Sequence, residues 1–408
     1  MAVVLIAAGV AGPVGHAHPR LPSVALTEGP ESWVGLPPTP EPATPAVEEQ
    51  PVVESEPVVE EPSCFVQAEP GITPLAPAGS GEARAVAYSS AGAVWMYDPA
   101  KDEAQKLTKG SDICWSNEIR FRNPTYISFN FQDTVYGLDL ETGALEPLFP
   151  SKHGVMASDW SPDGKILAYT TYGSGDSGGP QLVLYRIDDG SKQVLRTFPE
   201  APGRCGSEDD ETSVSWAPDG HALITVITHT IDEDRTMFVT NLSGNDLVPP
   251  RSGTSARWAP DSKRIYYRDF IGDRKWHTLN SETGDTGTLG AMKPGTFDLA
   301  VSPDGSMLAY HDGEDDAATY IFDVATKTQR KIADDAVMAV WLGPRTVLVT
   351  DTKACGEGCE HSVWLSNDST SIIDVFTEER RAAAAAATWE VDTWIEPIEE
   401  SAPAPAPP

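Results

Sequence analysis

The chain has 408 residues, of which 40% are hydrophobic, and its 61 acidic and 29 basic side chains give a formal net charge of −32. This length accommodates one large domain plus tails. Because so acidic a chain repels phosphate backbones and anionic lipid, we expect no nucleic-acid partner and no membrane contact except through an apolar segment.

The N-terminal segment contains one apolar run, AVVLIAAGVAG at residues 2–12, which is too short to span a bilayer. Small residues around His16 follow it, as at a signal-peptidase site, although no Lys or Arg precedes it. We interpret residues 1–20 as a signal peptide or an N-terminal apolar anchor. The protein is therefore expected to be exported, to the periplasm, the cell surface or the outside, with membrane anchoring as an alternative.

Two segments are rich in proline and predict disordered tails. Residues 21–62 include LPPTPEPATPAVEEQPVVESEPVVEEP, a Pro/Glu-rich stalk that cannot bury enough apolar surface to offset its ordering entropy. Residues 397–408 end in SAPAPAPP. The folded domain is expected between them, at residues 63–396.

Within that domain the sequence repeats itself. The anchors are WSPDGKILAY, WAPDGHALIT, WAPDSKRIYY and VSPDGSMLAY, which start at Trp160, Trp216, Trp258 and Val301 and lie 56, 42 and 43 residues apart. Degraded copies begin at Phe121 and Trp341. Each anchor is followed by an apolar phrase that ends in a polar turn, such as VYGLDLETG. A period of about 40 residues indicates a repeat architecture.

One repeat reads as four short antiparallel strands, with the Pro-Asp-Gly as the tip of the first hairpin. Four strands in about 40 residues make one blade of a β-propeller, so the predicted fold is all-β. The third strands begin at seven positions: Val94, Val135, Leu182, Met237, Trp276, Tyr320 and Val363. We therefore predict seven blades, with six as the alternative. The first unit lacks its own anchor strand, and TWEVDTWI at residues 388–395 alternates as a closing strand should.

The repeated W-[SA]-P-D-G-x-x-[IL]-x-[YF] pattern resembles the TolB-like, or WD40-like, β-propeller repeats of bacterial envelope proteins, over residues 83–376. Such propellers are commonly six-bladed. TolB itself carries a folded α/β domain before its propeller, where this chain has the Pro/Glu stalk. Enzymes of the prolyl-oligopeptidase type resemble these repeats too, but they need a hydrolase domain with G-x-S-x-G, and only about thirty residues follow residue 376.

The stretch GDSGGP at residues 175–180 matches the sequence around the nucleophile of trypsin-like proteases. A serine needs a histidine to take its proton and a carboxylate to orient that histidine. The histidines before Ser177 are His16, His18 and His153, and none has the protease context. We therefore interpret GDSGGP as a loop between the second and third strands of its unit, and expect no catalytic residue there.

The five cysteines predict disulfide chemistry in an exported chain. Cys355 and Cys359 in CGEGC are expected to pair, with a metal site including His361 as the alternative. Cys114 and Cys205 form a possible second bridge, and Cys64 competes for either partner.

Acidic clusters provide the weak candidates for a metal site. Asp209 and Asp210 lie in one cluster and Asp315 and Asp316 in another, but neither has EF-hand spacing, so calcium is possible and solvated loops are the favoured interpretation. No other cofactor is predicted. The alanine run after Arg380 predicts a brief helix.

Together these features predict a non-catalytic binding scaffold that takes a protein partner or a small ligand on one face of the ring. The alternative is a propeller enzyme, a hydrolase or lyase with residues from several blades at the channel mouth.

Overall fold

The computed structural model describes the following residues: 66–90, 92–109, 116–132, 134–150, 154–171, 179–198, 212–229, 234–269, 275–290, 292, 296–312, 318–353, 364–385 and 391–396. Contacts divide the chain into two units, Met1–Glu60 and Glu61–Pro408. The first unit, with the predicted signal and most of the stalk, lies outside the described residues. Among the described residues there is no helix that could cross a membrane.

Seven four-stranded antiparallel sheets make up the second unit, with strands numbered in chain order. Blade 1 contains β2 (Ala83–Ser90), β3 (Ala93–Asp98) and β4 (Glu103–Lys106); blade 2 contains β6 (Ser116–Asn123), β7 (Tyr126–Phe131), β8 (Thr134–Asp139) and β9 (Leu145–Pro150); blade 3 contains β10 (Val155–Trp160), β11 (Ile166–Thr171), β12 (Gln181–Arg186) and β13 (Lys192–Thr197); blade 4 contains β14 (Ser213–Trp216), β15 (Ala222–His229), β16 (Asp234–Asn241) and β17 (Asp246–Ser252).

The remaining blades follow the same plan. Blade 5 contains β18 (Thr254–Trp258), β19 (Arg264–Arg268), β20 (Trp276–Asn280) and β21 (Thr286–Thr288); blade 6 contains β22 (Thr296–Val301), β23 (Met307–Asp312), β24 (Ala318–Asp323) and β25 (Thr328–Asp334); blade 7 contains β26 (Ala336–Trp341), β27 (Thr346–Lys353), β28 (Trp364–Asp374) and β29 (Arg380–Ala383). The fold is a seven-bladed β-propeller, as predicted, and the six-bladed alternative is wrong.

The predicted borrowed strand closes the ring. β30 (Val391–Ile395) pairs with β2 as the innermost strand of blade 1, so the two ends of the domain share one sheet. Backbone hydrogen bonds between Glu396 and both Gly81 and Glu82 fasten the closure. The first strands of successive blades pack against one another all the way round, which places them at the central channel.

Apolar side chains of the described residues gather in seven clusters, one at each seam between neighbouring blades. A blade is a sheet with two apolar faces, so it buries both only when the ring closes. The repeated tryptophans belong to these seams, as expected for packing residues. The indole of Trp216 donates to the Asp159 carbonyl at 3.0 Å, and that of Trp258 donates to the Ser215 carbonyl at 3.2 Å, in each case across a seam.

A short strap precedes blade 1. β1 (Gln67–Ala68) pairs with β5 (Thr108–Lys109), and the chain then runs along the outer edge of blade 1. Thr73 exchanges two hydrogen bonds of 2.9 Å with the Gln105 side chain. The strap covers an outer strand that would otherwise present an unpaired edge.

The antiparallel order of each blade defines two faces of the ring. At one end, the turn face, at most five residues join strands 3 and 4 of every blade and strands 1 and 2 of blades 2 to 7. At the other end, the loop face, strands 2 and 3 and successive blades are joined by between one and fifteen residues. The Pro-Asp-Gly tips lie on the turn face, where Gly164 donates to the Ser161 carbonyl at 2.7 Å with a φ of +66°.

The helix predicted in the alanine run is wrong for residues 380–383, which form a strand. Arg380–Ala383 is β29, the outermost strand of blade 7, paired with Ile373 to Thr370 of β28. Helix propensity is a weak prior, and here the strand completes a sheet that the repeat demands.

Candidate functional site

The residues singled out in the sequence lie outside the described residues. They are Ser177, Cys64, Cys114, Cys205, Cys355, Cys359, His361, Asp209, Asp210, Asp315 and Asp316. Apart from Cys64, which precedes β1, each falls between two described strands that end on the loop face. The disulfide, calcium and Ser177 interpretations therefore remain predictions, and they concern one face of the ring.

On the turn face, Asp and Asn side chains accept hydrogen bonds from backbone N–H groups of their own turns. Asp139 closes the hairpin after β8 by accepting the Thr142 N–H at 2.7 Å and the Glu141 N–H at 2.9 Å. Asn280 does the same for Glu282 and Thr283, both at 2.9 Å. Side-chain caps of this kind satisfy backbone donors that a turn leaves free.

The capping bonds also shift the titration of these groups. The Thr142 N–H holds the pKa of Asp139 below its usual range, and the Thr377 N–H does the same for Asp374. For Asp163 the first cause is the Ser161 hydroxyl, which donates at 2.7 Å and lowers the pKa of the carboxyl. The turn hydrogen bonds therefore stabilise the ionised form of these three side chains.

A second group of charged side chains lies on the innermost strands of blades 1 to 3. It consists of Asp392 on β30, Glu118 and Arg120 on β6, and Asp159 on β10, and we refer to these four residues as the channel cluster. All four residues are half-buried.

Each carboxylate of the channel cluster crosses a seam to a backbone N–H of the next blade. Asp392 accepts from Phe121, Glu118 accepts from Ser158, and Asp159 accepts from Trp216, all at 2.7 Å. Three consecutive seams, from blade 1 to blade 4, are therefore bridged in the same way.

The single cation of the channel cluster is shared between blades 2 and 3. Arg120 donates through Nε to the Ser158 carbonyl at 2.7 Å and through Nη1 to the Ile119 carbonyl at 2.7 Å. Its Nη2 lies 3.3 Å from Glu118 Oε2. With every carboxyl ionised, the cluster has three negative charges and one positive charge.

Burial dominates the titration of the channel cluster. It raises the pKa of Asp159 to about 7, against the Trp216 N–H and the Arg120 guanidinium, and the Asp392 carboxylate adds to the rise. Burial also raises the pKa of Glu118 and of Asp392, again opposed by Arg120. Strongly shifted carboxyls in a recess are candidates for a functional site, although structural networks produce such shifts too.

The geometry allows two roles for the channel cluster. A carboxyl with a pKa of about 7 is suited to proton transfer near neutral pH. The bonds to Phe121, Ser158 and Trp216 instead make each carboxylate a support for the neighbouring blade. Among the described residues no three His, Cys, Asp or Glu side chains are arranged to hold a metal ion.

Two open grooves lie on the rim, away from the channel. One, of ≈330 Å³, is bordered by Gln67–Ile72 and by Glu141–Gly143. The other, of ≈430 Å³, is bordered by Lys263, Arg264 and Thr286. Neither contains a member of the channel cluster, so we assign them no part in the candidate site.

The comparisons with known proteins concern the fold. No protein-family model matches the sequence, and neither does any curated protein. TolB from Acinetobacter baumannii is 15% identical, with 76% of this chain and 82% of that chain covered and a TM-score of 0.45. Oligogalacturonate lyase from Vibrio parahaemolyticus is 12% identical, with coverages of 74% and 86% and a TM-score of 0.48.

Tricorn protease gives a TM-score of 0.51 at 12% identity, with 83% of this chain covered but only 36% of the protease. At such low identity this likeness shows the fold alone. The predicted propeller fold is confirmed by the seven four-stranded blades of the structure itself.

Proposed function

We propose that the chain is an exported, non-catalytic binding scaffold whose loop face takes a protein partner or a small ligand. The observation that carries the proposal is the difference between the two faces. Turn-face connections have at most five residues, whereas nine residues join β11 to β12, ten join β27 to β28 and fifteen join β13 to β14 on the loop face.

Long connections on a rigid ring are the usual place for recognition in a propeller, because they can vary without cost to the blades that carry them. The repeat dictates short tips and does not dictate these insertions. Because the strands that they join all end on one face, a partner on that face could meet more than one of them.

Export rests on the N-terminal apolar run and on the stalk, which would separate the ring from whatever the N-terminus contacts. The expected surroundings are the periplasm, the cell surface or the outside of the cell. The Cys355–Cys359 bridge belongs to the same proposal, because disulfides persist in such compartments.

A loop-shortening experiment tests the binding proposal. One variant replaces residues 172–179 by Asn-Gly, which leaves three residues between β11 and β12; two residues suffice between β7 and β8. Its control inserts Gly-Ser between Asp189 and Gly190 on the turn face. With both variants folded by circular dichroism, retention of partners from a cell-envelope extract should fall for the first and persist for the control. Equal retention by both would contradict the proposal.

A second candidate function, acid–base catalysis in the channel, is favoured by the convergence of carboxyls from three blades. Its test uses a water-soluble carbodiimide and an amine at pH 6.5, which modify protonated, accessible carboxyls. A catalytic Asp159 should react faster than the exposed Asp188 of the same blade. Failure of Asp159 to react would contradict catalysis and leave it only the structural role of accepting the Trp216 N–H of blade 4.

A further inference from the structure

The outer edge of blade 1 holds an extended segment that belongs to no blade. Residues 69–77 of the strap, with the sequence EPGITPLAP, run along β4, the last strand of its sheet. The Glu69 N–H donates to the Leu107 carbonyl at 2.8 Å. The side-chain amide of Gln105 then accepts from the Thr73 N–H and donates to the Thr73 carbonyl, both at 2.9 Å.

Two further side chains of blade 1 hold the strap, and they too contact its main chain. Lys101 Nζ donates to the Pro74 carbonyl at 2.9 Å. Asp98 Oδ2 accepts the Ala76 N–H at 3.0 Å. Because these bonds involve main-chain groups, the edge recognises an extended chain more than the particular side chains of the strap.

The prolines of the strap set the conformation that the blade contacts. Each residue whose N–H donates to blade 1 directly precedes a proline, in the pairs Glu69–Pro70, Thr73–Pro74 and Ala76–Pro77. The residue before a proline is restricted to extended backbone. A segment with this proline spacing is therefore extended before it binds, which reduces the entropy lost on binding.

The strap is only partly buried along its whole length. Each of residues 66–77 is half-buried or exposed. Four side chains pack against the apolar cluster between blades 1 and 2 and stay partly exposed: Val66, Ala68, Ile72 and Leu75. The rim groove of ≈330 Å³ is bordered by Gln67–Ile72 and by Glu141–Gly143, so one flank of the strap faces open space. Segments with few buried contacts open locally while the domain stays folded.

Basic side chains lie beside the strap. Lys106 ends β4 and Lys109 ends β5, and neither forms an ion pair with a carboxylate of the described residues. Lys109 is exposed and borders the rim groove together with Glu69. On a chain with a net charge of −32, such a pair of lysines favours an acidic segment at this edge.

We propose that the outer edge of blade 1 is a docking groove for an acidic, proline-containing extended segment of a partner protein, and that the strap is its resident occupant. The partner segment has prolines with the spacing of the strap, and its main chain takes the bonds to Gln105, Lys101 and Asp98. It replaces the strap while β2, β3 and β4 stay paired. The site lies on the rim, so it is separate from recognition on the loop face.

Peptide binding to the full chain tests the proposal. The probe is a labelled peptide, EPGITPLAP, followed by fluorescence anisotropy. In a strap-open variant, residues 70–77 are replaced by a Gly-Ser sequence of the same length. The peptide should bind this variant saturably and should bind the wild type at least about tenfold more weakly, because the tethered strap competes. A peptide with Gln in place of its Glu should bind more weakly at low salt.

Two substitutions in the strap-open variant locate the binding site. Gln105→Ala removes two bonds to the main chain of the occupant and should weaken peptide binding about tenfold. Gln193→Ala, on the outer strand β13 of blade 3, is the matched control and should leave binding unchanged. Absence of saturable binding, or equal effects of the two substitutions, would overturn the proposal. Dimerisation of the strap-open variant without peptide, measured by light scattering, would assign the edge to a second copy and overturn it too.

Hydrogen exchange of the wild-type chain does not depend on the folding of any variant. The amides of Thr73 and Ala76 should exchange at least about tenfold faster than the amide of Ala87, which is buried in the sheet of blade 1. Saturating peptide should speed the exchange of both strap amides, because it displaces the strap. Strap amides that exchange only as fast as Ala87, or that do not respond to the peptide, would overturn the proposal.

Discussion

The turn face and the loop face of the ring are joined by the same strands but built from different connections. On the turn face each hairpin closes in five residues or fewer, and Asp or Asn side chains accept the backbone N–H groups of the turns. On the loop face the connections range from one residue, between β17 and β18, to fifteen. One face repeats while the other varies.

Acidic residues have different roles on the two faces. Turn-face carboxylates such as Asp139 and Asp374 are acceptors for their own backbone, so they contribute to the blades. The acidic clusters around Asp209 and Asp315 belong to loop-face connections. Changes on the turn face should therefore cost stability, and changes on the loop face should affect binding.

The largest expected effect is at the seam beside the turn face. Trp216 is 5% exposed and donates to the Asp159 carbonyl, so Trp216→Ala should lower the free energy of unfolding by about 3–5 kcal/mol. Trp216→Phe keeps most of the packing and should cost about 1–2 kcal/mol. Denaturant unfolding measures both. Equal losses for the two variants would contradict this account, because Trp216→Phe keeps an aromatic ring in the seam and Trp216→Ala removes it.

A tip glycine should give the next largest effect. A Cβ on Gly164 would lie 2.9 Å from the Arg122 carbonyl oxygen, at a φ of +66°. Gly164→Ala should therefore cost about 2–4 kcal/mol, of which about 1–2 kcal/mol comes from the left-handed backbone. Gly190→Ala is the matched control, because it has a φ of +68° and no atom within 4 Å. Both are compared by thermal and denaturant unfolding.

A turn carboxylate should give a smaller, pH-dependent effect. Asp163 accepts the Ser161 hydroxyl, and its lowered pKa means that its contribution is present above the unfolded pKa and lost as the pH falls through the folded one. Asp163→Ala should cost about 1 kcal/mol at pH 7, a figure taken from one exposed hydrogen bond in screening solvent. The cost should shrink as the pH falls through the folded pKa of Asp163. A constant cost across this range would contradict the assignment.

The smallest effects should come from the loop face. Replacing residues 172–179 by Asn-Gly should change the free energy of unfolding by less than about 1 kcal/mol, because loop-closure entropy depends weakly on length. Ser177→Ala should change neither stability nor partner retention. A fluorophosphonate probe, which labels activated serines, should leave Ser177 unmodified. Labelling that the Ser177→Ala variant abolishes would revive the protease interpretation.

The fold was predictable because its determinants are local and periodic. The Pro-Asp-Gly tips recur at a spacing of about 40 residues, and the alternation at residues 391–395 marks the closing strand. The error at Arg380 arose where propensity and repeat disagree. An isolated alanine run favours helix, but residues 380–383 are held as an edge strand by β28.

The channel cluster was not predictable in the same way. Asp392 bonds to Phe121 across 271 positions, and Asp159 bonds to Trp216 across 57. No local motif connects such partners. The one available signal was Asp159 itself, a carboxylate at a position where blades 4, 6 and 7 have Ser215, Ala300 and Val340. That contrast becomes meaningful only when the ring shows which strands face the channel.

Site-specific photo-crosslinking tests most directly whether the loop face is the binding face. The crosslinking side chain would replace exposed Gln132 or Lys275 on the loop face, and exposed Asp189 or Glu282 on the turn face. Irradiation in a cell-envelope extract should give defined partner adducts from the loop-face positions only. Adducts from the turn face alone, or equally from both faces, would contradict the assignment of recognition to the loop face.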